Sequence, residues 1–245
     1  MSKAVIQFEN VSKYYPLYHH ITGGVKNLLL NFPSAVRSFR KTRFEALKNI
    51  SFEIHQGETF GIIGRNGSGK STTLGLIAGV LRPTSGKITV NGRISPLLEL
   101  GAGFHPELSG RDNILLNGVL LGLTRAQVAS KIEQIVDFSE LGSFIEQPIR
   151  TYSSGMLARL GFSVVAHLES EILLIDEVLA VGDFEFQKKC YNVFEDFKQR
   201  GKTIVFVSHD LRSVEKLCDS VVLLENGSIK AEGKPNNVLE FYTKS

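Results

Sequence analysis

The 245-residue sequence predicts an α/β fold: a mixed, largely parallel sheet with an inserted helical subdomain. Two observations carry that expectation. Short runs of Val, Ile and Leu bounded by turn residues alternate with helical periodicity, and continuous apolar runs mark strands buried on both faces. Between 111 and 168 the strand-like runs stop and helical periodicity takes over.

The strand-like segments, in order, are SFEI, TFGIIG, KITV, RISPLLEL, EILLID, TIVFVSH, SVVLLENG and SIKAEG, and a helix is expected from Lys70. The stretch from about 16 to 44 fits neither period. It interleaves apolar residues with Lys26, Arg37, Arg40, Lys41 and Arg43 and has no acid before Glu45, so the net charge of +3 is local and the remainder is mildly acidic. Two readings stay open for it: a surface excursion packed back on the body, or a docking element for a membrane partner or anionic headgroups. Nucleic-acid binding is not expected. The two cysteines, Cys190 and Cys218, lack metal-ligand spacing, and no run approaches the ~18 apolar residues of a membrane span.

GRNGSGKST, Gly64 to Thr72, follows the strand TFGII and opens a helix. It has the GxxxxGK[ST] spacing, with Gly64, Arg65, Asn66, Gly67, Ser68 and Gly69 forming the loop. Glycines let backbone N–H groups face phosphates, Lys70 reaches the β- and γ-phosphates, and the Ser71 hydroxyl suits Mg²⁺. The fold class is therefore that of a P-loop nucleotide hydrolase.

Such chemistry needs a carboxylate at a buried strand end. EILLIDEV offers Asp176 as the metal ligand and Glu177 to deprotonate water. A strand-end acid is common, and it gains meaning only beside the P-loop. His209 ends a third apolar strand, where a γ-phosphate contact is expected, and Asp183 alone reads as a helix N-cap. TYSSGMLARLGFSVV opens a second helix on small residues, with Leu157, Leu160, Val164 and Leu168 spaced to bury one face.

The order P-loop, YSSGM, ILLIDE, LAVGD, SHD resembles the nucleotide-binding subunit of ABC transporters over nearly the whole chain. PLLELGAGFHPELSGRDNI and the stretch from YSSGM to Cys190 are similar to the branch that exports O-antigen, capsule and teichoic acid. The resemblance implies ATP and Mg²⁺ as cofactors, Gly64 to Thr72 as Walker A, Asp176 and Glu177 as Walker B with its acid, Asp183 in the D-loop, and His209 as the switch histidine. Ser153, Ser154 and Gly155 stand in the signature turn, whose usual LSGGQ here reads YSSGM. The Q-loop glutamine is missing, and Glu99 is nearest its place as a metal ligand. An aromatic of VSKYY, Tyr15 by spacing or else Tyr14, is implied as the adenine platform.

The same resemblance implies partners. They are a second copy in an ATP-sandwich homodimer, a separate membrane permease, a lipid-linked polysaccharide, and the membrane surface near 16–44. It places the protein peripherally on the cytoplasmic face of the bacterial inner membrane, as one ATP-binding domain with no C-terminal carbohydrate-binding domain. Capsule or teichoic acid export is the alternative substrate reading, and a non-transport ABC ATPase is the remoter one.

Overall fold

The computed structural model describes residues 3–16, 43–97, 103–167, 170–176 and 183–244. Two sheets organise them. Strands β1 (Ala4–Pro16), β2 (Arg43–His55) and β4 (Ser85–Val90) pair antiparallel in the order β2-β1-β4. Strands β3 (Thr59–Ile63), β5 (Ile94–Leu97), β6 (Ile172–Asp176), β7 (Thr203–Val207), β8 (Ser220–Glu225) and β9 (Ser228–Gly233) form the second, ordered β5-β6-β7-β3-β8-β9. That sheet is parallel except for β9, which returns antiparallel beside β8.

SFEI and KITV thus belong to a separate antiparallel sheet rather than to the parallel one. Burial explains the difference: β2 alternates buried and exposed residues along its second half, whereas β3 and β7 are buried throughout. A strand with one wet face cannot sit in the middle of a sheet covered on both sides.

The large sheet divides its side chains between two cores by the two-residue period of a strand. Leu173, Ile175, Ile204, Phe206, Val221 and Leu223 face one cluster with the helices α6 (Phe184–Gln199), α7 (Leu211–Leu217) and α8 (Pro235–Lys244). Leu174, Val205, Val207, Val222 and Leu224 face the other, with the antiparallel sheet and α1 (Lys70–Ile77). Phe8, Phe52 and Phe60 stack in series at centroid distances of 4.4 and 5.4 Å and join the two sheets. Burying each such ring contributes about 1.5–3 kcal/mol.

Between β5 and β6 lie α2 (Gly110–Leu120), α3 (Arg125–Ala129), α4 (Ile132–Ser139) and α5 (Ser154–Ala166), around a third core that includes Ile114, Ile135 and Leu160. The expected single buried face of α5 is too narrow a description. Leu160 and Val164 enter the third core, while Phe162 and Val165 enter the core under α6. From Leu160 to Val165 every residue is buried, because α5 is wedged between the helical lobe and the sheet. Among the described residues no helix is long and apolar enough to cross a membrane.

Candidate functional site

Three neighbouring parallel strands end on one edge. The register pairs Asp176 of β6 with Val207 of β7, and Val207 with Ile62 of β3. One row of the sheet therefore leads to Asp176, to Ser208 and His209, and to the loop that starts at Gly64. Asp176 and His209, 112 and 145 positions beyond Gly64, share this edge with it because a parallel sheet puts all its C-terminal ends together.

The Gly64–Gly69 loop is held by close approaches of backbone. Gly64 has φ +146°, and a Cβ there would stand 2.1 Å from the Leu224 carbonyl oxygen. Gly69, the N-cap of α1, has φ +110°, and a Cβ would stand 2.6 Å from Leu47 Cδ2. Arg65, Asn66 and Gly67 are exposed at the loop's tip, and Ser71 and Thr72 open the helix beyond it. Lys70 is 8% exposed, and its Nζ donates to the carbonyls of Gly64 at 2.8 Å and Arg65 at 3.2 Å. Buried Ser68 Oγ has no partner among the described residues, and the first turn of α1 has neither a side-chain cap nor an acid.

A buried ammonium, a buried hydroxyl without a partner and an uncapped helix N-terminus fit a polyphosphate. The Ser71 hydroxyl and the Asp176 carboxylate are oxygen donors, the set that a hard divalent cation takes. His209 is exposed, one residue before Asp210, which caps α7 by accepting from Arg212 N at 3.1 Å. The Ser213 hydroxyl donates to Asp210 and holds its carboxyl below the usual carboxylate range. Glu177 and Glu99 lie outside the described residues, as does the basic stretch 17–42.

Tyr14 and Tyr15 stand within β1, opposite Glu45 and Phe44, rather than beyond the strand's end. Alternation aims them to opposite faces. The Tyr14 hydroxyl is tied to Glu45, which raises its pKa, and Lys13 Nζ lies 5.3 Å from the centre of the Tyr15 ring.

The second small-residue turn has a different construction. Tyr152 is buried and its hydroxyl donates to the Phe144 carbonyl at 2.6 Å, so the turn is anchored one residue before it opens. Ser153 caps α5 by accepting from Met156 N at 3.2 Å, and its hydroxyl proton still has a bond to give. Ser153 and Ser154 are exposed, and no acid stands in the first turn of α5.

Asp183 caps α6 by accepting from Phe186 N at 3.0 Å, and that bond holds its carboxyl low. It is also bound by Arg159 of α5. The same guanidinium meets Glu140 at 3.1 Å and lies 4.9 Å from the centre of the Phe186 ring. Sequence reasoning missed Arg159; a lone Arg inside the apolar period LARLGF was the available signal. Cys190 and Cys218 are buried, and desolvation pushes both thiols up to about 12, which leaves neither as a nucleophile at neutral pH.

Comparison with known proteins agrees with this geometry. The family model described as ABC transporter matches residues 47–180. The O-antigen export system ATP-binding protein RfbB of Klebsiella pneumoniae is 52% identical over 241 residues, covering 98% of each chain. The teichoic acids export ATP-binding protein TagH of Listeria innocua is 43% identical over 97% of this chain and 69% of its own. Among solved structures, the ATP-binding subunit of an ABC transporter superposes with TM-score 0.76 at 22% identity, covering 98% of this chain and 93% of that one. The dimeric post-hydrolysis ATP-binding cassette MJ0796, bound to ADP and Pi, superposes with TM-score 0.74 at 20% identity, covering 94% and 98%. With a family match over more than half its length and a half-identical relative along nearly all of it, this chain belongs to the ABC transporter family and carries its ATPase domain.

Proposed function

We propose that this chain is the ATP-binding subunit of an exporter of lipid-linked cell-surface polysaccharide, lipopolysaccharide O-antigen in the first place, acting through a separate membrane permease. The observation that carries the substrate is the 52% identity, over nearly full length, to an O-antigen export ATP-binding protein. A second reading, teichoic acid export, is favoured by the 43% identity to TagH. In either case the subunit works on the cytoplasmic face of the membrane, with the helices between 110 and 166 as the lobe that meets its partners.

The P-loop backbone and Lys70 hold the phosphates of ATP, and Tyr15 is the platform for adenine. Ser71 and Asp176 hold Mg²⁺, which when bound neutralises phosphate charge. Glu177, next along the chain from Asp176, takes a proton from the attacking water, and His209 steadies the γ-phosphate from the neighbouring strand end. Ser153, Ser154 and Gly155 serve the nucleotide of a second copy, so that two composite sites close across a twofold axis. Binding of two ATP molecules closes the dimer, and hydrolysis opens it.

The test is genetic and chemical together. Cells lacking this chain should retain undecorated lipid A core at the surface and accumulate lipid-linked polymer inside, and the wild-type gene, but not Glu177→Gln, should restore export. Unchanged surface O-antigen with loss of teichoic acid would transfer the assignment to the second reading.

A further inference from the structure

The turn between β8 and β9 touches the P-loop and the tyrosine-bearing sheet at once. Asn226 and Gly227 form its two-residue loop with φ +49° and +78°, the left-handed pair of a type I′ hairpin. Gly227 N donates to the Ser68 carbonyl of the P-loop at 3.1 Å, and the Gly227 carbonyl accepts from Lys48 N of β2 at 2.7 Å. Beside that clip, the strand pairing slips by one residue. Lys13 faces Leu47 but Tyr14 faces Glu45, so Ala46 is the extra residue of a β-bulge. A bulge bends its strand and re-aims the side chains that follow.

The Ala46 carbonyl oxygen is caught between two glycines. A Cβ at Gly69 would lie 2.8 Å from it, and a Cβ at Gly227 would lie 2.7 Å from it. Ala46 is 3% exposed and Leu47 fully buried, so the bulge has no room to slide. We infer that Gly227 is a positioning residue for nucleotide: with Gly69 it clamps the Ala46 bulge and thereby sets the tyrosine arm of β1 and β2 against the P-loop. The inference rests on the proposed reading of Tyr15 as adenine platform. It makes affinity for adenosine, as distinct from affinity for phosphate, depend on a turn that touches no ligand.

The test compares ADP with pyrophosphate by calorimetry in EDTA on the full chain, which separates the nucleoside's share of binding from the phosphates' share without turnover. Gly227→Ala and Gly227→Asn should each weaken ADP by about tenfold and pyrophosphate by less than about twofold, the order of one lost stacking contact. Gly201→Ala, at φ +67° with nothing within 4 Å of its added Cβ, matches the backbone strain without the crowding and should change neither ligand.

Equal loss of both ligands in the Gly227 variants, or no loss of either, overturns the clamp. Tyr15→Ala separates the two readings: if it leaves the ADP to pyrophosphate ratio intact, the adenine role of Tyr15 is wrong, while the clamp stands if the Gly227 variants still lower that ratio. Should the Gly227 variants not fold, hydrogen exchange on the wild-type chain decides. ADP should slow the Lys48 amide more than pyrophosphate does, and equal slowing overturns the clamp.

Discussion

The P-loop and the Ser153 turn are both helix N-termini with no acid in their first turn, yet they are built in opposite ways. At the P-loop, Gly64 and Gly69 are required by the chain's own packing, with the Leu224 carbonyl at the first and Leu47 and the Ala46 carbonyl at the second occupying the space a side chain would need. At the Ser153 turn a serine supplies the cap, and a Cβ added to Gly155 would meet only Ser153 Oγ, at 3.8 Å, beyond its own helix backbone. The first loop is shaped by contacts within one chain. The second has a glycine whose need the described fold does not explain, which is the pattern expected of a surface answered by another molecule.

The sharpest way to break that contrast is to damage each side separately. Lys70→Ala should reduce ATP hydrolysis at least about 100-fold, the scale of losing one preorganised charge contact to a transition state, as read by phosphate release. Gly155→Glu should cost turnover about as much while leaving ADP affinity within about twofold of wild type, because in the proposed function it acts between copies and not on the nucleotide held by Lys70. Sedimentation with ATP should show that variant as a monomer, and a Gly155→Glu dimer with normal turnover would refute the division.

Smaller effects test how the two halves are joined. Arg159→Met removes the guanidinium that links α5 to Glu140 and to the α6 cap, and should lower stability by ~1 kcal/mol in urea melts, since its carboxylate partners are substantially exposed. Smallest is a pH effect at Glu140. The Lys189 ammonium, with Arg159 beyond it, holds that carboxyl below the usual range. A depressed carboxylate stabilises the fold above its ordinary pKa, and that stability is lost as pH falls through the depressed value. Lys189→Met should therefore cost ~0.5 kcal/mol at pH 7 and less at pH 3, after discounting for solvent; equal loss at both would show packing rather than charge.

Much of the site was legible because its signals are local. GRNGSGKST lies within nine consecutive residues, ILLID announces its own burial, and Asp183 reads as a cap three residues before the amide it accepts. Arg159 was not legible, since the carboxylates it joins lie 19 and 24 positions away. The separate sheet of β1, β2 and β4 was missed for a related reason. A strand's composition reports its exposure but not its partner, and the mid-strand alternation of β2 is blurred by the bulge at Ala46.

The sequence by itself determined the chemistry available: a phosphate-binding loop, a strand-end carboxylate, a strand-end histidine and a second small-residue helix start. These follow from spacing along a few covalent bonds. Only the tertiary structure decided that Asp176, Val207 and Ile62 share one row, that α5 is buried on both sides from Leu160 to Val165, and that one carbonyl, at Ala46, sits between Gly69 and Gly227. Those relations are made by hydrogen bonds and contacts between segments as far apart as Ala46 and Gly227, and which pairs form depends on the whole sheet closing together.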